Sequence, residues 1–149
     1  MSYTLTFPEK LRATIALPTS KSLSARALII SALAGTGRVE DLSDCDDTRV
    51  MRRALEEDQA VVDIMAAGTA MRFLTAYFAA TEGEHILTGT ARMKQRPIGI
   101  LVEALRTLGA QIEYTEKEGY PPLRIRGKKL RGGEVVYIPE IDEEITVAG

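Results

Sequence analysis

The sequence predicts an α/β fold. Three observations carry that expectation. Apolar residues recur at helical spacing in four segments, short β-rich stretches alternate with them, and glycine or proline stands at most of the joints. Thr14 to Leu17 reads as a strand running into a helix whose Leu23, Ala27, Ile30 and Leu33 recur every three or four positions. Thr19 or Ser20 is the expected N-cap, and Gly35 to Gly37 ends the helix. Val39 to Leu42 reads as a short strand. Asp46 and Asp47 would cap a second helix through Val50, Met51, Ala54 and Leu55, and Val61 to Ile64 is a further strand.

The pattern then begins again. Ala67-Gly68-Thr69 opens a helix carrying Met71, Leu74, Thr75 and Phe78, and Glu82-Gly83 turns into a strand from His85 to Thr88. Pro97, at a first helical position, would open a helix with Ile98, Leu101, Val102, Leu105 and Leu108 on one face, stopped by Gly109. Gln111 to Tyr114 and Leu123 to Arg126 alternate as a hairpin around Thr115 to Gly119. The expected organisation is one domain over residues 1–149, with tandem units at about 14–64 and 67–138 and an acidic tail at 139–149. The stretch from Leu55 to Ala66 is too short for a hairpin in the first unit. An edge strand over Val135 to Ile138 precedes the tail, which also reads like a cut through a larger protein.

Composition narrows the function classes. With 149 residues, 45% apolar and 27% charged, the chain has the make-up of an ordinary globular domain. No apolar run approaches the ~20 residues of a membrane span. Met1-Ser-Tyr-Thr has no charged start followed by an apolar stretch, so no secretory signal is expected. A single cysteine, Cys45, cannot pair internally, and together these features point to the cytoplasm. A net charge of −2 gives no general attraction to nucleic acid or membranes. The absence of tryptophan and the single His85 weigh against base-stacking platforms and histidine metal clusters.

Three helix starts are cationic. A helix start leaves amide N–H groups unpaired and carries about half a positive charge, a natural seat for a phosphate or carboxylate. The first has Lys21, Ser22 and Arg26; the second has Gly68 and Thr69 with Arg72 a turn later. The third is Arg92-Met93-Lys94-Gln95-Arg96 ahead of Pro97, with Arg96 at the cap. Facing one side, the three would form a cationic cleft on a chain that is acidic overall. Each also has an ordinary reading: a capped helix, a turn glycine, an exposed helix face or a solvated loop. Asp44, Asp46 and Asp47 could serve as a metal or acid/base cluster, but helix capping explains them more simply. Cys45 reads as a buried, unactivated thiol and His85 as a residue at a strand edge.

Taken together, LPTSKSLSARALIISALA, DCDDTRVMRRAL, AAGTAMRFLTAYFAA, LTGTARMKQRPIGILVEALRTLGAQIEY and GYPPLRIRGKKLRGG resemble the N-terminal domain of 5-enolpyruvylshikimate-3-phosphate synthases, over most of residues 14–133. The resemblance implies tandem βαβαββ units of the enolpyruvyl transferase fold, an inside-out α/β barrel, and one domain of the usual two. It implies transfer of the enolpyruvyl (carboxyvinyl) group from phosphoenolpyruvate to the 5-hydroxyl of shikimate 3-phosphate, in aromatic amino-acid biosynthesis. The hydroxyl adds to the protonated enol ether, and the tetrahedral adduct then loses phosphate. No metal or organic cofactor is implied.

Lys21, the catalytic candidate, would contact both substrates; Ser22 and Arg26 would hold shikimate 3-phosphate, and Gly68 and Arg96 would lie at phosphoenolpyruvate. The sequence departs from the family where Ala66 replaces the usual Asn, in the shortened stretch 56–65, and in lacking Ser-Ser-Gln after Gly133. The second domain, source of the family's Asp and Glu proton-transfer residues, is missing, so a fragment or truncated form with little or no turnover is expected. Its uncovered face would favour self-association. Two other readings stand beside this one: a UDP-N-acetylglucosamine carboxyvinyltransferase, which typically has Lys-Asn where this chain has Lys21-Ser22, and a non-catalytic small-anion-binding or assembly domain.

Overall fold

The computed structural model describes residues 3–4, 6, 10 and 12–136. Helix α1 spans Lys21–Ala34, with Ser20 as its N-cap: the Ser20 hydroxyl accepts from the Leu23 amide at 3.4 Å. Gly35 closes it with φ 63°, a left-handed conformation that glycine adopts without Cβ strain. The bond at Ser20 is long and exposed, so Ser20→Ala should lower stability by only about 0.5–1 kcal/mol, read as a shift in the urea midpoint.

α1 turns Ser24, Ala25 and Leu28 inward and leaves Leu23, Ile30 and Leu33 exposed. Buried Ser24 is satisfied because its hydroxyl accepts the Ser43 amide at 2.9 Å, which ties α1 to the entry of the next helix. That helix, α2, spans Asp46–Glu56. The cap position belongs to Cys45 rather than to the aspartates, and Asp46 and Asp47 occupy the first turn, where the helix dipole favours negative charge.

After α2 come β1 (Val61–Asp63), α3 (Gly68–Ala80) and β2 (Gly83–Thr88). A 3-10 turn at Met93–Gln95 precedes α4 (Gly99–Thr107), and β3 (Gln111–Tyr114) and β4 (Leu123–Gly127) form the expected hairpin. The sheet order is β1-β2-β4-β3. β1 runs parallel to β2 through the α3 crossover, and the other pairs are antiparallel. α3 packs against α1, α2 and α4 and against β2 and β4 of the sheet, while α4 also contacts β3. Its Ala70, Met71, Leu74, Phe78 and Ala79 are buried with Leu87, Leu123 and Ile125 of the sheet.

Several sequence expectations are corrected. Residues 14–17 and 39–42 form no strand. Alternating residues become a strand only beside a hydrogen-bonding neighbour, and Ile15 (74% exposed) and Leu17 (85%) have no such cover. The two units therefore do not each carry a sheet; β1 of the first joins β2 of the second. The expected asymmetry is present, because only β1 separates α2 from α3. Pro97 is not the first helical residue. Ile98 is the N-cap at φ −135°, its amide donating to the Gly119 carbonyl at 2.9 Å, so the helix begins at Gly99. Gly109 does end it, at φ 93°. Val135 and Val136 have no regular structure, while 137–138 and the acidic tail lie outside the described residues.

Candidate anion-binding site

The start of α1, the start of α3 and the end of the 3-10 turn meet. Together they line a cavity of about 310 Å³ that includes Lys21, Gly68, Thr69, Arg72 and Arg96, with Ala66 and Asp47 completing the wall. A second hollow of about 400 Å³, lined by Arg92, Met93 and Gln95, shares Ala66 and Arg96 with it. Lys21, Gly68 and Arg96 thus converge in the fold, as the three cationic helix starts imply.

Each member is placed by local structure. Lys21 is the first residue of α1, anchored by the Ser20 cap. Gly68 opens α3 one residue after Ala67, whose amide donates to the Ile64 carbonyl at 3.0 Å and so links β1 to the helix start. Arg96 leaves the 3-10 turn in extended conformation, its amide bonded to the Met93 carbonyl at 3.0 Å, so it ends that turn rather than capping α4. Its guanidinium lies against Gly68, where an added Cβ would sit 2.5 Å from Nη1. Arg72 donates to the Gly68 and Pro97 carbonyls at 3.4 and 3.5 Å, bracing α3 against the segment that carries Arg96.

The cavity wall has three cations and one carboxylate. Lys21 Nζ pairs with Asp47 Oδ2 at 3.2 Å. Among the described residues, the Arg92 and Arg96 guanidiniums make no hydrogen bond or ion pair with the protein. Lys94, by contrast, is engaged with Glu116 at 2.6 Å. The uncommitted charge thus belongs to the arginines, fixed in sign and able to grip an anion through two parallel hydrogen bonds.

Ser22 and Arg26 are not among the residues lining this cavity. Arg26 Nη1 donates to the Ser22 carbonyl at 3.0 Å, and its guanidinium lies 5.8 Å from the Phe73 ring centroid. It borders a separate apolar groove of about 320 Å³ between α1 and α3. The acidic run is likewise divided: Arg49 bonds Asp44 and Asp46 at 2.9 and 3.0 Å, and Asp47 alone turns to the cavity. Sequence reasoning favoured Asp47 as a helix-capping acid over a member of a metal or acid/base cluster, and did not pair it with Lys21. The signal available was an electrostatic one, that Lys21 needs a counter-charge.

His85 has a structural setting of its own. It lies near the start of β2, paired with Ile125 of β4 one residue before the pairing with β1 begins at Ile86, stacks on Phe78 with centroids 4.1 Å apart, and hydrogen-bonds through Nδ1 to the Gln59 carbonyl at 2.9 Å. Cys45 is half-buried, its Sγ 3.3 Å from Thr48 Oγ1. Burial pushes the thiol pKa up, but hydrogen bonds with Thr48 and Ser43 outweigh it and leave the pKa below the ordinary value. Thr48→Val should therefore raise it, seen as slower alkylation of Cys45 by iodoacetamide at fixed neutral pH.

The family model described as EPSP synthase (3-phosphoshikimate 1-carboxyvinyltransferase) matches residues 5–57 and 52–140. The chain belongs to this family. A 3-phosphoshikimate 1-carboxyvinyltransferase of Bacteroides fragilis strain YCH46 is 61% identical over 136 residues, covering 91% of this chain and 33% of the relative. The enzyme of that name from Photobacterium profundum is 43% identical over 172 residues, covering 97% and 39%. The chain thus spans about a third of the length of these relatives. The EPSP synthase from Acinetobacter baumannii superposes with a TM-score of 0.70 at 23% identity, over 81% of this chain and 34% of that one; at that identity the likeness speaks to fold. The architecture is accordingly part of the EPSP synthase fold.

Proposed function

We propose that this chain supplies one wall of a carboxyvinyltransferase active site, the one that moves the enolpyruvyl group from phosphoenolpyruvate to the 5-hydroxyl of shikimate 3-phosphate. The observation that carries the reading is the convergence of Lys21, Gly68 and Arg96 on one cavity with excess positive charge, in a member of the EPSP synthase family. Both substrates are phosphorylated acids, and fixed cations at the start of helices are the chemistry that recognises them. Preorganised charge also stabilises the phosphate as it leaves, and holding the two reactants side by side removes much of the entropic barrier.

In this reading Lys21 sits between the two substrates and Arg96, backed by Gly68, takes phosphoenolpyruvate. Ser22 contributes to shikimate 3-phosphate through its hydroxyl, and Arg26 does so only if its guanidinium turns from the Ser22 carbonyl and the Phe73 ring. The chain functions as one α/β domain of a two-domain cytoplasmic enzyme, with units at about 14–64 and 67–138, and has little turnover by itself. Exposed Leu23, Ile30 and Leu33 on α1 support self-association when the rest of such an enzyme is absent.

The test is calorimetric titration of the folded chain with shikimate 3-phosphate, then with phosphoenolpyruvate. Saturable heat with shikimate 3-phosphate and no phosphate release is the expected result. A folded sample giving no heat with either ligand contradicts the reading.

A further inference from the structure

The cavity wall contains a carboxylate, which by charge alone opposes anion binding. Asp47 lies 26 positions from Lys21 in sequence, yet Lys21 Nζ donates to its Oδ2 at 3.2 Å. The carboxylate is the more sheltered partner, its side chain 24% exposed against 51% for Lys21. It lines both the 310 Å³ cavity and a neighbouring one of about 500 Å³ bordered by Asp46, Met65 and Thr90, and so stands in the partition between them. The adjacent aspartates do not share the task, since Asp44 and Asp46 are bound to Arg49.

A lysine ammonium is a strongly hydrated point charge on a flexible four-carbon stem. At the exposed first residue of α1 it would spend most of its time in open solvent. Asp47 is itself held, because it sits in the first turn of α2, where the dipole favours its charge. We infer that Asp47 is a positioning residue: it draws Lys21 across from α1 and holds the ammonium at the cavity mouth. One of the three ammonium N–H donors is then used by Asp47, and two remain for an incoming anion. The assignment deepens the proposed function and rests on its anion site. The opposite arrangement, in which Asp47 merely competes with the anion for Lys21, predicts tighter binding when the carboxylate is removed.

The experiment compares the wild-type chain with Asp47→Ala, Asp47→Asn and Asp47→Glu. Lysine ammonium resonances are recorded by ¹H–¹⁵N NMR in cold, mildly acidic buffer, and affinities for shikimate 3-phosphate and inorganic phosphate are measured with and without Lys21→Met. The Lys21 ammonium signal should be present in the wild type, lost in Asp47→Ala and regained in Asp47→Glu. Anion affinity should fall roughly two- to fivefold in Asp47→Ala, the range of a half-exposed ion pair, and should not change further in the Lys21→Met background. Asp47→Asn, the variant least able to disturb α2, should also weaken binding. An unchanged Lys21 signal, tighter anion binding, or equal loss in the Lys21→Met background overturns the assignment. If the wild type binds neither anion while the Lys21 signal follows Asp47 as stated, the enzymatic reading fails and the Asp47–Lys21 pairing stands.

Discussion

Arg96→Ala should weaken binding of phosphoenolpyruvate or shikimate 3-phosphate by roughly tenfold to a hundredfold, the loss expected for one or more charge-assisted hydrogen bonds. Calorimetry reads this directly. The fold should be indifferent: the Arg96 side chain makes no hydrogen bond or ion pair among the described residues, and substitutions at such positions usually change stability by no more than about 0.5 kcal/mol. A large fall in unfolding midpoint together with lost binding would mean that Arg96 is a structural strut. The predicted separation of binding from stability follows from a guanidinium that is oriented by its backbone turn and the face of Gly68 but otherwise uncommitted.

Gly127→Ala should produce the largest loss of stability of any single methyl addition considered. The added Cβ would run into the carbonyl oxygens of Thr81 and Phe78 at the end of α3. These are backbone atoms and cannot swing aside, and β4 is held there by the Lys128 amide on the Ala79 carbonyl at 3.3 Å. The strand would have to leave the helix, at a cost of at least about 3 kcal/mol, the upper end for an overpacked interior. Urea unfolding should show it. Gly68→Ala makes the instructive contrast. There the obstacle is the tip of a flexible arginine, so the fold should survive while Arg96 is pushed out of place and anion affinity falls. If both variants unfold equally, the distinction between scaffold glycine and site glycine is wrong.

What could be read from the sequence was what depends on near neighbours. The Ser20 cap, the Gly35 and Gly109 stops, and the β3–β4 hairpin are decided within a few residues, and the structure has all of them. The failures share the opposite property. Thr14 to Leu17 and Val39 to Leu42 look like strands, but a strand exists only if another segment pairs with it. The misplaced start of α4 turns on the Gly119 carbonyl, 21 positions beyond the amide of Ile98 that it receives. The aspartates near 46 resemble caps in composition; that Arg49 takes two of them and Lys21 the third is a tertiary outcome. The convergence of Lys21, Gly68 and Arg96 on one cavity was legible because each sits at a recognisable turn or helix start. Arg26 was not separable from them by sequence, since only the packing of Phe73 beneath it shows where it goes.

Three separate chain segments should act as one anion basin. The most direct measurement is a shikimate 3-phosphate titration of the ¹⁵N-labelled chain, following the amides of Lys21 to Leu23, of Gly68 and Thr69, and the Arg96 side chain. Movement of all three groups with one common midpoint is the predicted result. Shifts confined to one segment, or scattered over unrelated faces, would contradict it.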